Sequence, residues 1–475
     1  MGSDRYDAEL RRQRLEKRKR EVRRRAAVFG GCVVVVIVLA VSLGIRGHRR
    51  RLAAQELERG VNAVQACFVK TFGDMEETVS VSAEKQGDSR KSFGAWVMDT
   101  YSGKREAILK RVRKGQISGE GIYEALGETI HVLRDRYEGK LDDAQTAKEQ
   151  GIFLQDGKTD QAEVVIAGDL CFAEDGFVLD HYDTVNDLSQ CISPEILQMS
   201  NDADIFYLNH EYCISDRGEP LEGKLYTFRA KPERMGLLKE MGTDLVSLAN
   251  NHIYDYGRDA MMDTVDLLDQ AEIPYVGGGR NSEEARRPVY FVVNGMKIGF
   301  VAATNAEIVF YTPKAETDSP GVLEAYDPAE YKQVISDAAG QCDYLIAYIH
   351  WGPEDTNTYE ENQHNMGAEF LQAGADIVVG GHPHVLQGIE YIDGRPVVYS
   401  MGDFWFNDET KYTGLLKLEL TPEGLKQMSF VPCLQTGFTT QYISDQQEQT
   451  AFYNFLEGLS PNAGIDENGV VTEKK

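Results

Sequence analysis

Five short apolar runs in the last two thirds of the chain each stop at residue types that ligate metals, and this recurrence limits the fold more than any other feature. Val164 to Ala167 runs into Gly168-Asp169-Leu170-Cys171, Ile205 to Leu208 into Asn209-His210-Glu211, and Leu245 to Ala249 into Asn250-Asn251-His252. Tyr344 to Ile349 stops at His350, and Ile377 to Val379 at Gly380-Gly381-His382-Pro383-His384. Runs of this length separated by helical periodicity predict an α/β domain with a largely parallel central sheet. Functional groups collect beyond the carboxyl ends of strands in such sheets, so five endings of this kind predict one shared crevice. Singly, each ending reads equally well as a cap or a satisfied core side chain. Glycines just before an imidazole let backbone and ion approach closely. His210 points away from its neighbour Glu211 if the segment is extended, and it is not expected to ligate. Trp351, Phe404, Trp405 and Phe406 are expected to be core or pocket wall, because large aromatics mostly serve burial.

The N-terminal 51 residues follow other rules. Residues 1–25 hold eleven Lys/Arg, and residues 26–45 form an uncharged, mostly apolar run followed by Arg46, Arg49, Arg50 and Arg51. Twenty helical residues rising about 1.5 Å each span about 30 Å, the thickness of a bilayer's hydrocarbon core. The run exceeds the roughly 7–15 residues of a signal peptide's apolar region, so a transmembrane anchor is expected. The larger basic cluster predicts a cytoplasmic tail over 1–25 and an extracytoplasmic remainder.

Beyond residue 51, 35 Lys/Arg stand against 71 Asp/Glu, a net charge of −36. That charge repels polyanions and argues against nucleic-acid binding. In residues 52–150, Leu57, Val61, Val64 and Phe68, then Tyr123, Leu126, Ile130, Leu133 and Tyr137, recur at helical steps, which predicts a helical stalk or small helical domain. An acidic, Gln-rich linker is expected over 142–160, the main domain over 162–455 and a flexible polar tail over 456–475. The six cysteines after Cys32 are scattered and suggest no disulfide framework.

Together, GDLCF, NHE, SLANNHIYDYG, IHWGPE, GGHPHVLQGIE and YSMGDFWF, over about residues 162–420, resemble the capsule-synthesis CapA/PgsA family linked to bacterial poly-gamma-glutamate. That family is similar in fold to the calcineurin-like metallophosphatases. The resemblance implies a layered α/β sandwich with a mixed central sheet and one or two divalent ions, with manganese, iron or zinc the expected metals. It implies metal ligation by Asp169, Glu211 in the bridging position, Asn251, His350, His382 and His384. His252 would face the leaving group, with Asp255 as the acid nearest to orient it; these two are the candidate catalytic pair. Two departures mark the match. Cys171 stands where the first metallophosphatase motif has histidine, and Ile253 where an acid usually follows the Asn-His pair. Cys171 is read as a buried structural thiol, with a thiolate ligand as the alternative.

Two functional classes follow from the resemblance. One is a membrane-anchored protein of capsule or poly-gamma-glutamate synthesis, anchoring or export, whose partners are the membrane and an anionic capsule polymer or its synthase complex. The alternative is a metal-dependent hydrolase, a phosphoesterase or gamma-glutamyl hydrolase, acting on cell-surface material.

Overall fold

The computed structural model describes residues 151–474 except 156, 158–160, 175, 295, 307–310 and 422. The basic tail, the 26–45 run and the expected stalk over 52–150 lie outside the described residues. Among the described residues no helix is long and apolar enough to cross a membrane.

The first half of the described chain holds β1 (Ile152–Gln155), β2 (Ala162–Leu170), α1 (Phe177–Val185), α2 (Pro194–Asp202), β3 (Ile205–His210), α3 (Met235–Glu240), β4 (Leu245–Ser247), α4 (Gly257–Ala271) and β5 (Tyr275–Val276). Next come β6 (Val289–Val293), β7 (Met296–Asn305), α5 (Pro328–Ala339), β8 (Tyr344–Trp351), α6 (Glu361–Ala373) and β9 (Ile377–Gly381). Then follow β10 (Ile389–Ile392), β11 (Arg395–Val398), β12 (Asp403–Trp405), β13 (Lys411–Thr421), β14 (Gly424–Thr436), β15 (Thr439–Tyr442), α7 (Gln446–Leu459), β16 (Ala463–Ile465) and β17 (Val471–Glu473).

The fold is mixed α/β, but the strands form two large sheets where the sequence pattern predicts one. One has the order β1-β6-β7-β8-β9-β11-β10, the other β15-β14-β13-β2-β3-β4-β5 with β12 paired to β2. Each has a parallel centre, β7-β8-β9-β11 in one and β2-β3-β4-β5 in the other, with antiparallel strands added outside it. Alternate residues of β2 explain the stacking. Val164 and Ile166 belong to a core they share with Phe300, Ile346 and Val379 of the facing sheet. Val165 and Ala167 pack instead with Val178, Ile196, Leu238, Met261 and Val265 from the helices α1 to α4. On the far side of the other sheet, Leu345, Ala347 and Ile349 pack with Tyr331, Ile335, Phe370 and Leu371 of α5 and α6. The result is a helix–sheet–sheet–helix sandwich, in which the central strands are buried on both faces and therefore read as unbroken apolar runs.

Both chain boundaries of the domain differ from expectation. β1, inside the expected linker, pairs in parallel with β6. The expected flexible tail after 455 instead completes α7 and forms the β16–β17 hairpin. Phe452, Leu456, Ala463 and Val471 enter the core between the sheets, and the polar residues that suggested fraying form the turn, where Asp466 accepts from Asn468 N and Val470 N at 2.9 Å each. Cys171, Cys191, Cys213, Cys342 and Cys433 are all buried and unbridged.

Candidate metal centre

The carboxyl ends of β2, β3 and β4 in one sheet face those of β8 and β9 in the other, so the five predicted endings meet across two layers. Asp169, near the end of β2, is fully buried. Its Oδ1 accepts from Asn209 Nδ2 at 2.8 Å and from the Tyr348 hydroxyl at 3.3 Å, while Oδ2 accepts from the backbone N–H of His382 at 2.9 Å. Gly381 permits this approach, because a Cβ there would collide with the Tyr348 hydroxyl and Asp169 Oδ1. The turn beyond it holds His382 and His384 at φ of 95° and 56°, a left-handed backbone that side-chain-bearing residues seldom adopt.

Glu211, one residue past β3, is the focus of the cluster. Its Oε1 lies 3.4 Å from His350 Nε2 and 3.8 Å from His384 Nε2, and it has no hydrogen-bond partner. Its Oε2 accepts from Asn209 Nδ2 at 3.1 Å. His350 Nε2 meets Asn251 Oδ1 at 2.9 Å, and the His350 and His382 ring centroids are 4.8 Å apart. Asp169 Oδ1 is 4.0 Å from His350 Nδ1, and Asp169 Oδ2 is 3.9 Å from His384 Nδ1. Three donor groups result, each with ligand atoms mutually within 4.8 Å: Glu211, His382 and His384; Asp169, Glu211 and His350; and Asp169, His384 and Asp403. All the residues expected to ligate are thus brought together.

His252 and Asp255 also pair. After β4, Asn250 Oδ1 accepts from the backbone N–H of His252 and of Ile253 at 3.0 Å each, folding the chain back in a tight turn. His252 Nδ1 then lies 2.7 Å from Asp255 Oδ2, and its ring packs 4.3 Å from that of Phe228.

The electrostatics are those of a negative charge withdrawn from water. Burial pushes the Asp169 carboxyl up to about 6 against the pull of His384 and the His382 amide, and burial beside Asp169 pushes Glu211 well above the carboxylate range. Burial, then the charge of neighbouring His384, holds His382 well below the usual imidazole range, and His350 is lowered by burial and then by His382 and His384. Burial also opposes charge on His384, yet Asp403, Glu211 and Asp169 outweigh it and raise the ring to about 10. Burial raises the Cys171 thiol well above its ordinary value, and Cys171 belongs to none of the three donor groups. His210 is fully buried on the other face against Tyr212 and is pushed down by burial to about 3.

Three participants escaped the sequence reading. Asp403 Oδ1 lies 2.8 Å from His384 Nδ1, and its signal was present: Gly402-Asp403 repeats the Gly-Asp ending of Gly168-Asp169. Asn209 joins Asp169 to Glu211, and its place directly before His210-Glu211 was the available hint. Lys224 donates to Asp255 Oδ1 at 2.7 Å from a loop that reads as solvent-facing, so no pattern marks it. Trp351, Phe404 and Trp405 are core, as expected, while Phe406 stands 4.7 Å from the His384 ring and walls the site.

A profile of the family described as "Bacterial capsule synthesis protein PGA_cap" matches residues 163–408, more than half of the chain. "Capsule biosynthesis protein CapA" of Bacillus anthracis is 32% identical over 241 residues, covering 49% of this chain and 58% of that protein. "PGA biosynthesis protein CapA" of Bacillus subtilis is 33% identical over 204 residues, covering 42% and 53%. A "Probable polyglutamine synthesis accessory protein" of Mycobacterium tuberculosis is 31% identical over 210 residues, covering 42% and 55%. The chain spans little more than half the length of these curated relatives. Among solved structures, TT1561 of Thermus thermophilus is similar at 10% identity and a TM-score of 0.32, over 57% of this chain and 99% of that one. The 5'-nucleotidase from Candida albicans is similar at 11% identity and 0.32, over 59% and 53%.

Proposed function

The chain belongs to the family of bacterial capsule synthesis proteins, and from that premise we propose that it is a membrane-anchored, extracytoplasmic protein of poly-gamma-glutamate capsule synthesis, anchoring or export that holds a divalent metal. The observation that carries the metal is the pair of buried polar atoms without hydrogen-bond partners, Glu211 Oε1 and His382 Nδ1, inside a cluster of carboxylates and imidazoles. A buried polar atom left unmet costs about 1–3 kcal/mol, and a cation answers both together. The donor set fits such an ion: Asp169, Glu211, Asn251, His350, His382 and His384 would hold it, and Asp403 would orient the His384 ring. A bound divalent cation would supply the positive charge that bridges to polymer carboxylates or polarises a substrate oxygen. Manganese, iron and zinc all suit mixed oxygen and nitrogen donors.

The anchor rests on the basic residues before position 26 and the apolar run over 26–45. With −36 beyond residue 51, contact with a polyanion needs a bridging cation, so polymer binding is expected to vanish on chelation.

The test is metal analysis of the purified chain with its H382A variant, beside protease treatment of intact cells. Bound metal that the variant lacks, and loss of residues 150–475 to external protease, are the expected results. A chain that takes up no manganese, iron or zinc, or a domain protected in intact cells, overturns the corresponding half.

The hydrolase reading is favoured by one observation, the His252–Asp255 pair beside the cluster, since a polymer holder has no use for an oriented imidazole. Asp255 would hold the Nδ1–H of His252, leaving its Nε2 lone pair to take up a proton and pass it to the leaving atom. Turnover of a phosphodiester or gamma-glutamyl substrate that falls about 10² to 10⁴-fold in H252A separates this reading from the holder.

A further inference from the structure

We infer that Lys224 is a positioning residue, whose ammonium fixes the His252 ring through Asp255 and at the same time holds the carbonyl of Asn251. The inference deepens the hydrolase reading and rests on it for its consequence in turnover, but not for its geometry.

Lys224 lies in the loop between Ser215 and Arg229, where its neighbours Leu225 and Tyr226 are 83% and 63% exposed. Its own side chain is only 3% exposed. The Nζ donates to Asp255 Oδ1 at 2.7 Å and to the backbone carbonyl of Asn251. Burying an ammonium is costly unless it is paired and hydrogen-bonded, and both conditions are met here at the site. The loop is folded to deliver it: Leu221 N donates to Asp255 O at 2.9 Å, Phe228 N to Asp255 Oδ2 at 2.7 Å, and the Tyr311 hydroxyl to Gly223 O at 3.0 Å. Thr312 Oγ1 donates to the same Asn251 carbonyl at 2.8 Å.

The hydrogen-bond arithmetic then fixes the imidazole. Asp255 uses Oδ1 for Lys224 and Oδ2 for Phe228 N, and His252 Nδ1 faces that same Oδ2 at 2.7 Å. An Nδ1 lone pair would repel the carboxylate at that distance, so Nδ1 carries the hydrogen and the neutral ring presents its lone pair at Nε2. Without Lys224, Asp255 would remain buried with no cation against it, and its carboxylate would turn toward other donors. His252 would lose that partner. A displacement of about 1 Å at a group that moves protons costs about 10²-fold in rate.

The experiment uses the full chain, labelled with ¹⁵N-histidine and stripped of metal, as wild type, K224M and K224R, with the His252 signals assigned by H252Q. Wild type is expected to show His252 protonated at Nδ1 and bare at Nε2. K224M should move both signals toward the average of two exchanging tautomers, and K224R should restore them. After reloading with Zn²⁺, K224M is expected to bind as much metal as wild type, and on whichever phosphodiester or gamma-glutamyl substrate wild type turns over, its kcat should fall about 10²-fold at little change in KM. Wild-type His252 signals in K224M overturn the inference. Shifted signals with unchanged kcat uphold the positioning and remove His252 from the reaction. If wild type turns over neither substrate, the hydrolase reading falls and the imidazole signals alone decide the inference. Should K224M fail to fold, K224M/D255N, which removes charge and counter-charge together, is compared with D255N; matching His252 signals in that pair support the inference and differing ones overturn it.

Discussion

Asp403 stands in register with Asp169 on the parallel strand beside it, and both carboxylates are fully closed off from solvent. Two buried carboxylates at neighbouring strand ends repel each other unless positive charge lies between them. His384 supplies part of it, with Nδ1 2.8 Å from Asp403 and 3.9 Å from Asp169, and Lys411 reaches only to 3.9 Å from Asp403. D403N is therefore expected to weaken metal binding about 10- to 100-fold through the His384 orientation it disturbs. The metal-free variant should melt below wild type, since the buried His384–Asp403 pair has lost one partner. Chelator competition and thermal melts measure the two effects; a variant with full metal affinity would deny Asp403 its role.

Ligands and core are expected to separate cleanly by substitution. H382A should release metal and leave the far-ultraviolet circular dichroism unchanged, because a strand-end imidazole buries little apolar surface. I346A, between the two sheets, should cost about 2–5 kcal/mol by opening a cavity while leaving the metal ligands in place. Denaturant midpoints and metal content in both variants check this, and the expectation fails if H382A is the less stable of the two.

The metal-free chain should lose stability as pH rises above neutral. Burial disfavours charge on His384, but Asp403, Glu211 and Asp169 together raise its pKa to about 10, above its unfolded value near 6.5. A pKa raised on folding gives stability that is complete below the unfolded value and is lost as pH climbs toward the folded one. Calorimetry between about pH 7 and 9 is expected to show a falling Tm without metal. With saturating Zn²⁺ the slope should flatten, because ligation replaces the proton. A metal-free Tm that climbs through this window would contradict the assignment.

Truncation after Leu459 is expected to destabilise the domain although it removes only polar-looking sequence. Ala463 and Val471 sit in the core between the sheets, and Asn462 accepts from Tyr391 N at 2.8 Å and donates to its carbonyl at 2.7 Å. A shortened chain that melts with wild type would show that the hairpin contributes nothing.

The site was more legible in the sequence than the fold that assembles it. Val164–Ala167 before Asp169 and Tyr344–Ile349 before His350 announce strands ending in ligands, because a strand buried on both faces writes itself as an apolar run whose end is abrupt. The run does not say which strand it pairs with, since Val165 and Val378 are equally apolar whether their partner is in one sheet or another. Pairing is a long-range property, and the division into two sheets was invisible for that reason. Lys224 was hidden by a similar gap: a lysine between Gly223 and Leu225 carries no mark of being drawn inward to a carboxylate 31 residues away. Asp403 differs, because its Gly-Asp ending could have been matched to that of Asp169.

The descent of the ligands from two layers has a consequence for how long the protein lasts. Asp169, Glu211 and Asn251 lie at or beyond the strand ends of one sheet, and His350, His382 and His384 at or beyond those of the other. An ion held by all of them would be a crosslink across the sandwich, so its escape and the first parting of the layers would be one event. The supply of that metal would then set the lifetime of the molecule as well as its readiness to act.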